Sequence, residues 1–481
     1  MTLASATAAL HDLVASTATD RHCPTISWAV TCDGTIVASG GHGVLHDGTR
    51  PTASTVYRIA SMTKSFTAAT VLALRDEGRL ELDHRIADLA PELETIVGPT
   101  SDATPITVRH LLSMSAGMAN DDPWADRHLD IDDAGLDAVL AGGAWFAAPT
   151  GTAFEYSNLG FAMLGRIIRR VTGTRVQTHI SERFLEPLGM HRTTWVQPNH
   201  DDWARPFEVL DGTATHDPLA PLGDGEIAAM GGLWSTTSDI CRWMTWLDEG
   251  NPARDGSDSG PLSRASRREM QKMQQYDGMK VLAERAAPTG YGFGLMIRDD
   301  DLLGRVVSHS GGLPGYGSNM RWLAGRRVGV VALGNVMYAP MSELTLRMLK
   351  VLHDHDALPG ATAAGAGIGV LDDLARRLVH LLSNWTDLAA ANVFATDLFA
   401  DNVRLDESYE RRAAQAAELV ARLGTLHIER ISVSTAAAAE IHLADASGTT
   451  VVEFDLAPIM PARIQAYSIE HSANAGQTGQ S

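Results

Sequence analysis

Apolar residues recur every three to four positions through residues 3–16 (LASATAALHDLVAS), the spacing of an amphipathic helix. Two short β-branched runs follow, at 25–32 and 35–39. Asp33-Gly34 between them is a dipeptide suited to a two-residue hairpin turn. A longer helical pattern spans 61–77 and meets Gly78 just past its end, where a left-handed residue closes a helix. The middle of the chain carries further helical patterns at 108–114, 158–171 and 238–249, separated by loops rich in Asp, Pro and Gly. Strand-like runs return at 305–309, 318–323 and 328–334, and 342–353 is helical again. Strands at both ends of residues 1–355 with helices between them predict an α+β fold. Its antiparallel sheet is built from the N- and C-terminal parts and flanked by helices, with an all-α insert.

Residues 356–369 (DALPGATAAGAGIG) are rich in Ala and Gly and read as a linker. Beyond it, 370–481 reads as a small α+β C-terminal domain. Helices at 370–383 and 407–423 precede alternating strands at 426–434, 437–444, 449–456 and 463–470. The polar residues 472–481 are expected to be disordered. No internal repeat is present.

Composition adds a class. Of 481 residues, 44% are hydrophobic and 20% charged, the balance of a chain that folds around a core. The net charge of −19 would repel a phosphate backbone or an anionic bilayer surface, so neither nucleic acid nor membrane is expected as a partner. No uncharged apolar stretch reaches the roughly 18 residues of a spanning helix. The first dozen residues lack the basic and apolar segments of a signal peptide, and the expected location is cytoplasmic. Cys23, Cys32 and Cys241 have neither metal-ligand spacing nor the even number of a disulfide framework, and read as inert thiols. His353-Asp354-His355 reads as a solvated helix end. No metal or cofactor is expected.

The sharpest chemical signal is Ser61-Met62-Thr63-Lys64. Positions i and i+3 share a helix face, so the lysine amine can reach the serine hydroxyl. It can take the hydroxyl proton only where burial or neighbouring charge lowers its pKa. The backbone N–H of a serine opening a helix would point toward a developing oxyanion. The other reading is an ordinary helix start with a solvated lysine. Among four lysines, only Lys64 completes an S-x-x-K. Tyr156-Ser157-Asn158 is the only Y-x-N among eight tyrosines. Tyr156 can shuttle a proton if an ammonium lowers its pKa, and Asn158 can hold both a substrate carbonyl and the lysine. Alternatively, Tyr156 anchors a loop and Asn158 caps the next helix. His309-Ser310-Gly311-Gly312 follows a strand-like run. A histidine and two glycines on an edge strand can line a cleft where substrate backbone approaches closely. A structural histidine is the alternative.

In this order, S-x-x-K, Y-x-N and H-x-G resemble the motifs of the serine β-lactamase-like and penicillin-binding-protein-like hydrolases, in particular the class C β-lactamase, D-aminopeptidase and esterase branch. Segments 57–60 (YRIA), 110–117 (HLLSMSAG), 187–190 (PLGM), 231–236 (GGLWST) and 291–294 (YGFG) are similar to the same branch. The resemblance covers roughly residues 5–355. It implies Ser61 as nucleophile, with Lys64 and Tyr156 handling its proton. It also implies an oxyanion hole from the N–H groups of Ser61 and Gly312, and substrate contacts from Asn158, His309 and Gly311. It departs from the related K-T-G signature in placing His309 where a lysine would supply a permanent cation. The expected function is a serine hydrolase forming an acyl-enzyme with small-molecule or peptide esters or amides, of the esterase or D-aminopeptidase/amidase type. A β-lactamase, a penicillin-binding-protein-type thioesterase or acyltransferase, and an acylatable sensor without turnover are the alternatives.

Overall fold

A computed structural model of the chain describes residues 3–217, 223–359, 368–385 and 388–473. These fall into two units, the first within Met1–Asn251 and Ser257–Ala361, the second within Pro252–Gly256 and Thr362–Ser481.

The first unit is organised by an eight-stranded sheet. Its strands are β1 (Thr25–Cys32), β2 (Thr35–Gly43), β3 (Gln275–Leu282), β4 (Arg285–Tyr291), β5 (Met296–Asp300), β6 (Gly304–Leu313), β7 (Tyr316–Leu323) and β8 (Val328–Gly334). The order is β2-β1-β8-β7-β6-β5-β4-β3, with every pair antiparallel. The N-terminal hairpin therefore joins the C-terminal strands, with Val30 opposite Val330. Asp33 and Gly34 both take positive φ (48° and 79°), the backbone twist that lets a two-residue turn match paired strands.

Three strands, β3 to β5, lie where the hydrophobic pattern predicts none. β3 is the sheet edge, and Tyr276, Met279 and Val281 are exposed on it. An edge strand buries little, so its two-residue alternation is weak. Gly278, Pro288 and Gly290 interrupt the β3–β4 sequence further.

The helices Leu3–Asp20 and Met341–Asp354 pack on one face of the sheet, around Trp28, Val30, Val330 and Ala332. Helix Thr237–Asp248 packs on the other face, whose Ala29, Val331 and Leu333 belong to the main core. Covered on both faces, β7 and β8 are buried at every residue. Helix Thr63–Asp76 lies deeper still, with residues 63–74 all buried. Phe66 stacks on Trp243 at 3.9 Å between ring centroids, and the Trp243 indole N–H donates to Ser65 Oγ at 2.9 Å. The polar side chains of residues 63–74 are thereby forced into the interior.

The second unit has helices Ile368–Asn384, Leu388–Leu398, Asp401–Asp406 and Tyr409–Leu423. A four-stranded antiparallel meander, Ile428–Thr435, Ala438–Leu443, Gly448–Leu456 and Ile464–Ala473, completes it. Leu371, Leu378, Phe399, Leu419, Val452 and Phe454 are in its core. Helix Leu388–Leu398 was not expected from the sequence. The first helix begins at Ile368, inside the segment read as linker. The last strand runs through Ser472 and Ala473, inside the segment read as disordered; the remainder of both readings, at 360–367 and 474–481, lies outside the described residues. No described helix is long and apolar enough to cross a membrane.

Candidate active site

Ser61 lies in a single 3-10 turn, Ala60–Met62, that leads directly into helix Thr63–Asp76. Ala60 has φ +48°, a left-handed conformation costly for a residue with a Cβ. The turn is clamped from outside. Ser318 Oγ on β7 donates to Ile59 O at 2.8 Å, and β6 presses against it through Gly311. A Cβ at Gly311 would fall 2.2 Å from Ile59 O and 2.4 Å from Ser318 Oγ. A Cβ at Gly312 would fall 2.2 Å from the Tyr338 ring. The two glycines thus admit the protein's own Ser61 turn and the Tyr338 ring.

Lys64, the second residue of that helix, is fully buried. Its Nζ donates to Ser61 Oγ at 2.9 Å, Asn158 Oδ1 at 2.6 Å and Met230 O at 2.9 Å. Three acceptors match the three protons of an ammonium. The same helix face grips segment 228–233. Thr67 Oγ1 donates to Ala229 O at 2.7 Å, and Leu233 N donates to Thr63 Oγ1 at 3.2 Å. Burial drives the Lys64 pKa from 10.5 down to about 8, against an upward pull from Asp122, Asp121 and Asp126.

The Tyr156 phenol is hydrogen-bonded to Ser61, and its ring centre lies 4.9 Å from Lys64 Nζ. Burial pushes this phenol well above its ordinary value of 10, and Tyr291, Asp122 and Asp126 push the same way. The condition of an ammonium lowering this pKa is not met: loss of water raises it most, and Tyr291 and the carboxylates of Asp122 and Asp126 add to the rise.

Ser157, not Asn158, caps helix Asn158–Thr172, accepting from Gly160 N at 3.1 Å. That frees the Asn158 amide for Lys64 on one side and Asp122 Oδ1, at 2.7 Å, on the other. Asp121 accepts from the backbone N–H groups of Asn158 and Leu159, both at 2.7 Å. Asn158 is wholly buried and committed to these partners.

His309 stands on β6 just beyond Ser308, the last residue paired with β5. From there to Leu313, β6 is paired only on its β7 side and forms a local edge. The imidazole is buried, with Nδ1 at 2.6 Å from Ser310 O and Nε2 at 2.9 Å from the Tyr291 hydroxyl. Burial, followed by the Lys64 charge, lowers its pKa from 6.5 to about 3. The ring is neutral. Its proton belongs on Nδ1 facing the carbonyl, and Nε2 accepts from Tyr291.

Ser61, Lys64, Tyr156 and Asn158 are thus joined by hydrogen bonds, and His309 lies within electrostatic reach of Lys64. Sequence reasoning missed Asp121, Asp122, Asp126, Met230, Tyr291 and Tyr338. Met230 directly precedes the 231–236 segment and Tyr291 opens the 291–294 segment, so both had a signal. The aspartates had none. Among the described residues no group of three or more His, Cys, Asp or Glu could hold a metal ion. Cys23 and Cys241 are buried, and burial pushes both thiols up to about 12, which leaves them inert.

An antiparallel sheet between helices, with an S-x-x-K serine at the start of a buried helix, defines the β-lactamase/transpeptidase fold of serine hydrolases. The family model for Beta-lactamase matches residues 10–355, and the chain belongs to that family. It is 29% identical over 316 residues to Penicillin-binding protein 4 of Amycolatopsis lactamdurans, covering 62% of this chain and 75% of that protein. It is 26% identical over 326 residues to Protein flp of Staphylococcus aureus (strain MW2), covering 66% and 60%. Among solved structures, the octameric penicillin-binding protein homologue from Pyrococcus abyssi superposes with a TM-score of 0.61 at 21% identity, over 96% of this chain and 99% of that one. A D-stereospecific amidohydrolase from Streptomyces sp. gives 0.58 at 22% identity over 71% and 97%. EstCE1, a hydrolase with promiscuous acyltransferase activity, gives 0.59 at 18% identity over 73% and 99%. At these identities the structures are alike in fold.

Proposed function

We propose that this chain is a serine hydrolase that forms an acyl-enzyme on Ser61 and acts on esters or amides, of the esterase or amidase type. The observation that carries this reading is the fully buried Lys64 amine, 2.9 Å from Ser61 Oγ, with its pKa lowered to about 8. A lysine in water would be almost wholly protonated at neutral pH and useless as a base. This one is neutral in an appreciable fraction of molecules.

In that fraction, Lys64 takes the Ser61 proton as Oγ attacks the carbonyl carbon. The oxyanion would be held by the N–H groups of Ser61 and Gly312, as the resemblance implies. As the tetrahedral adduct collapses, the bond to the leaving group breaks and the proton passes from Lys64 through the Tyr156 hydroxyl to that group. Tyr156 acts as a neutral relay, because its phenol is hard to ionise. Water then attacks the acyl carbon while Lys64 takes one of its protons; the bond from the acyl carbon to Ser61 Oγ breaks, and Lys64 passes that proton to Oγ, which restores the hydroxyl and the neutral amine. Asn158 keeps the amine aimed at Ser61 by accepting from it at 2.6 Å.

The neutral His309 supplies no cation for a substrate carboxylate, and Asp121, Asp122 and Asp126 make the surroundings of Lys64 anionic. Both features favour uncharged or cationic acyl donors over anionic β-lactams. The amidohydrolase and esterase among the structural neighbours accord with that preference.

Ser61→Ala should abolish p-nitrophenyl acetate hydrolysis while leaving the thermal unfolding midpoint within a few degrees of wild type. Turnover within a few-fold of wild type would remove Ser61 from the nucleophile role. A persistent one-acyl adduct by mass spectrometry, without turnover, would mark an acylatable sensor instead.

A further inference from the structure

The catalytic residues leave one neighbour unexplained. Tyr338 follows β8, 29 residues beyond His309 in sequence, and no motif marks it. Its ring lies against the Cα of Gly312, where a Cβ would meet Cδ1 at 2.2 Å and Cε1 at 2.6 Å. Its hydroxyl donates to Asp126 Oδ2. Asp126 is buried, on the turn that also carries Asp121 and Asp122, the partners of Asn158. One side chain therefore reaches from the β6 wall of the site to the wall that orients Asn158.

Two further facts mark this bridge as more than packing. Tyr338 has φ +50°, a conformation unfavourable for a bulky residue, which persists only where the surroundings fix it. It is also 50% exposed, so its ring is not held there by burial in a core. What holds it is a hydroxyl anchored at one end and a glycine admitting the ring at the other.

The leaving group has to face Lys64 and Tyr156, which carry its proton, and the carbonyl oxygen has to face Gly312. The acyl chain is the part still to be placed, and Tyr338 stands beside Gly312. We propose that Tyr338, pinned by Asp126, is a specificity-determining bar that limits the size of the acyl group Ser61 accepts. This rests on the acyl-enzyme reading of Ser61.

The test compares kcat/KM for p-nitrophenyl acetate and p-nitrophenyl cyclohexanecarboxylate in wild type, Tyr338→Gly and Tyr338→Phe. Glycine tolerates the left-handed backbone, so Tyr338→Gly removes the bar without adding strain. The bulky-to-small ratio should rise about tenfold or more in Tyr338→Gly, the scale on which a pocket wall discriminates. It should rise less in Tyr338→Phe, which keeps the ring and loses the anchor. A Tyr338→Gly ratio within about twofold of wild type, or an equal loss on both esters, would overturn the bar. A Tyr338→Phe ratio equal to wild type would overturn the role of Asp126. Wild-type turnover of acetate that survives Ser61→Ala would instead bring down the acyl-enzyme reading beneath it.

Discussion

Raising the pH from 7 to 9 should raise kcat/KM for p-nitrophenyl acetate about tenfold, along a single limb centred near pH 8. The reasoning runs through Lys64, whose pKa burial lowers from 10.5 to about 8. With that value, about 9% of molecules hold a neutral amine at pH 7 and about 91% at pH 9. At the ordinary value the neutral fraction at pH 7 would be about one in three thousand, so desolvation enlarges the reactive population about 300-fold. The shift has a cost of about 3 kcal/mol in fold stability, because the buried ammonium is disfavoured relative to the unfolded chain. The sign follows from proton counts. Between pH 8 and 10.5 the unfolded state holds a proton that the native state has lost, so stability rises with pH across that window. The penalty is full below about pH 8.

Stopped-time assays from pH 6 to 10, with Ser61→Ala subtracted for spontaneous hydrolysis, measure the limb. Urea titrations of wild type and Lys64→Met across pH 8 to 10.5 measure the stability slope, which the variant should lack. Asp122→Asn adds an independent lever. It removes the carboxylate that raises the Lys64 pKa most while keeping an oxygen to accept from Asn158. The limb should move to lower pH, and kcat/KM at pH 7 should rise, with a ceiling of about elevenfold when every amine is neutral. A profile flat from pH 6 to 9, a limb near 10.5, or a limb moving upward in Asp122→Asn would refute the assignment of Lys64 as base.

Gly311→Ala should lower kcat/KM for every ester by about a hundredfold or more, because its methyl would lie 2.2 Å from Ile59 O and drive β6 off the nucleophile turn. The same change should cost about 1–3 kcal/mol in urea unfolding, and an active, fully stable variant would contradict the close packing. His309→Gln should flatten the acid side of the stability curve. His309 is neutral in the fold down to about pH 3 but takes a proton near 6.5 when unfolded. Wild-type stability therefore falls as pH drops below 6.5, by about 2 kcal/mol at pH 5 from this group alone. Parallel wild-type and His309→Gln curves between pH 7.5 and 5 would show that the imidazole is not held neutral.

The local features of this chain were legible because they depend on neighbours in sequence. The Asp33-Gly34 turn, the helix that carries Lys64, and the three-residue step from Ser61 to Lys64 follow from backbone geometry over a few residues. So do the alternating strands of the C-terminal unit, each of which has one apolar face to reveal it. Strands β3 to β5 left no such trace, because an edge hairpin with exposed side chains need not alternate. What lowers the Lys64 pKa was also invisible. Burial of its helix, whose Phe66 stacks on Trp243, lowers that pKa against aspartates that carry no motif, and the amine is held by Met230 O, 166 residues away. The neutrality of His309 and the bridge from Tyr338 to Asp126, across 212 residues, arise the same way. Sequence alone determined which reactive groups the protein owns and which of them share a helix face. Their protonation, aim and confinement were decided by the tertiary structure, because exclusion of water is a property of everything packed around a group, and no short stretch of chain contains it.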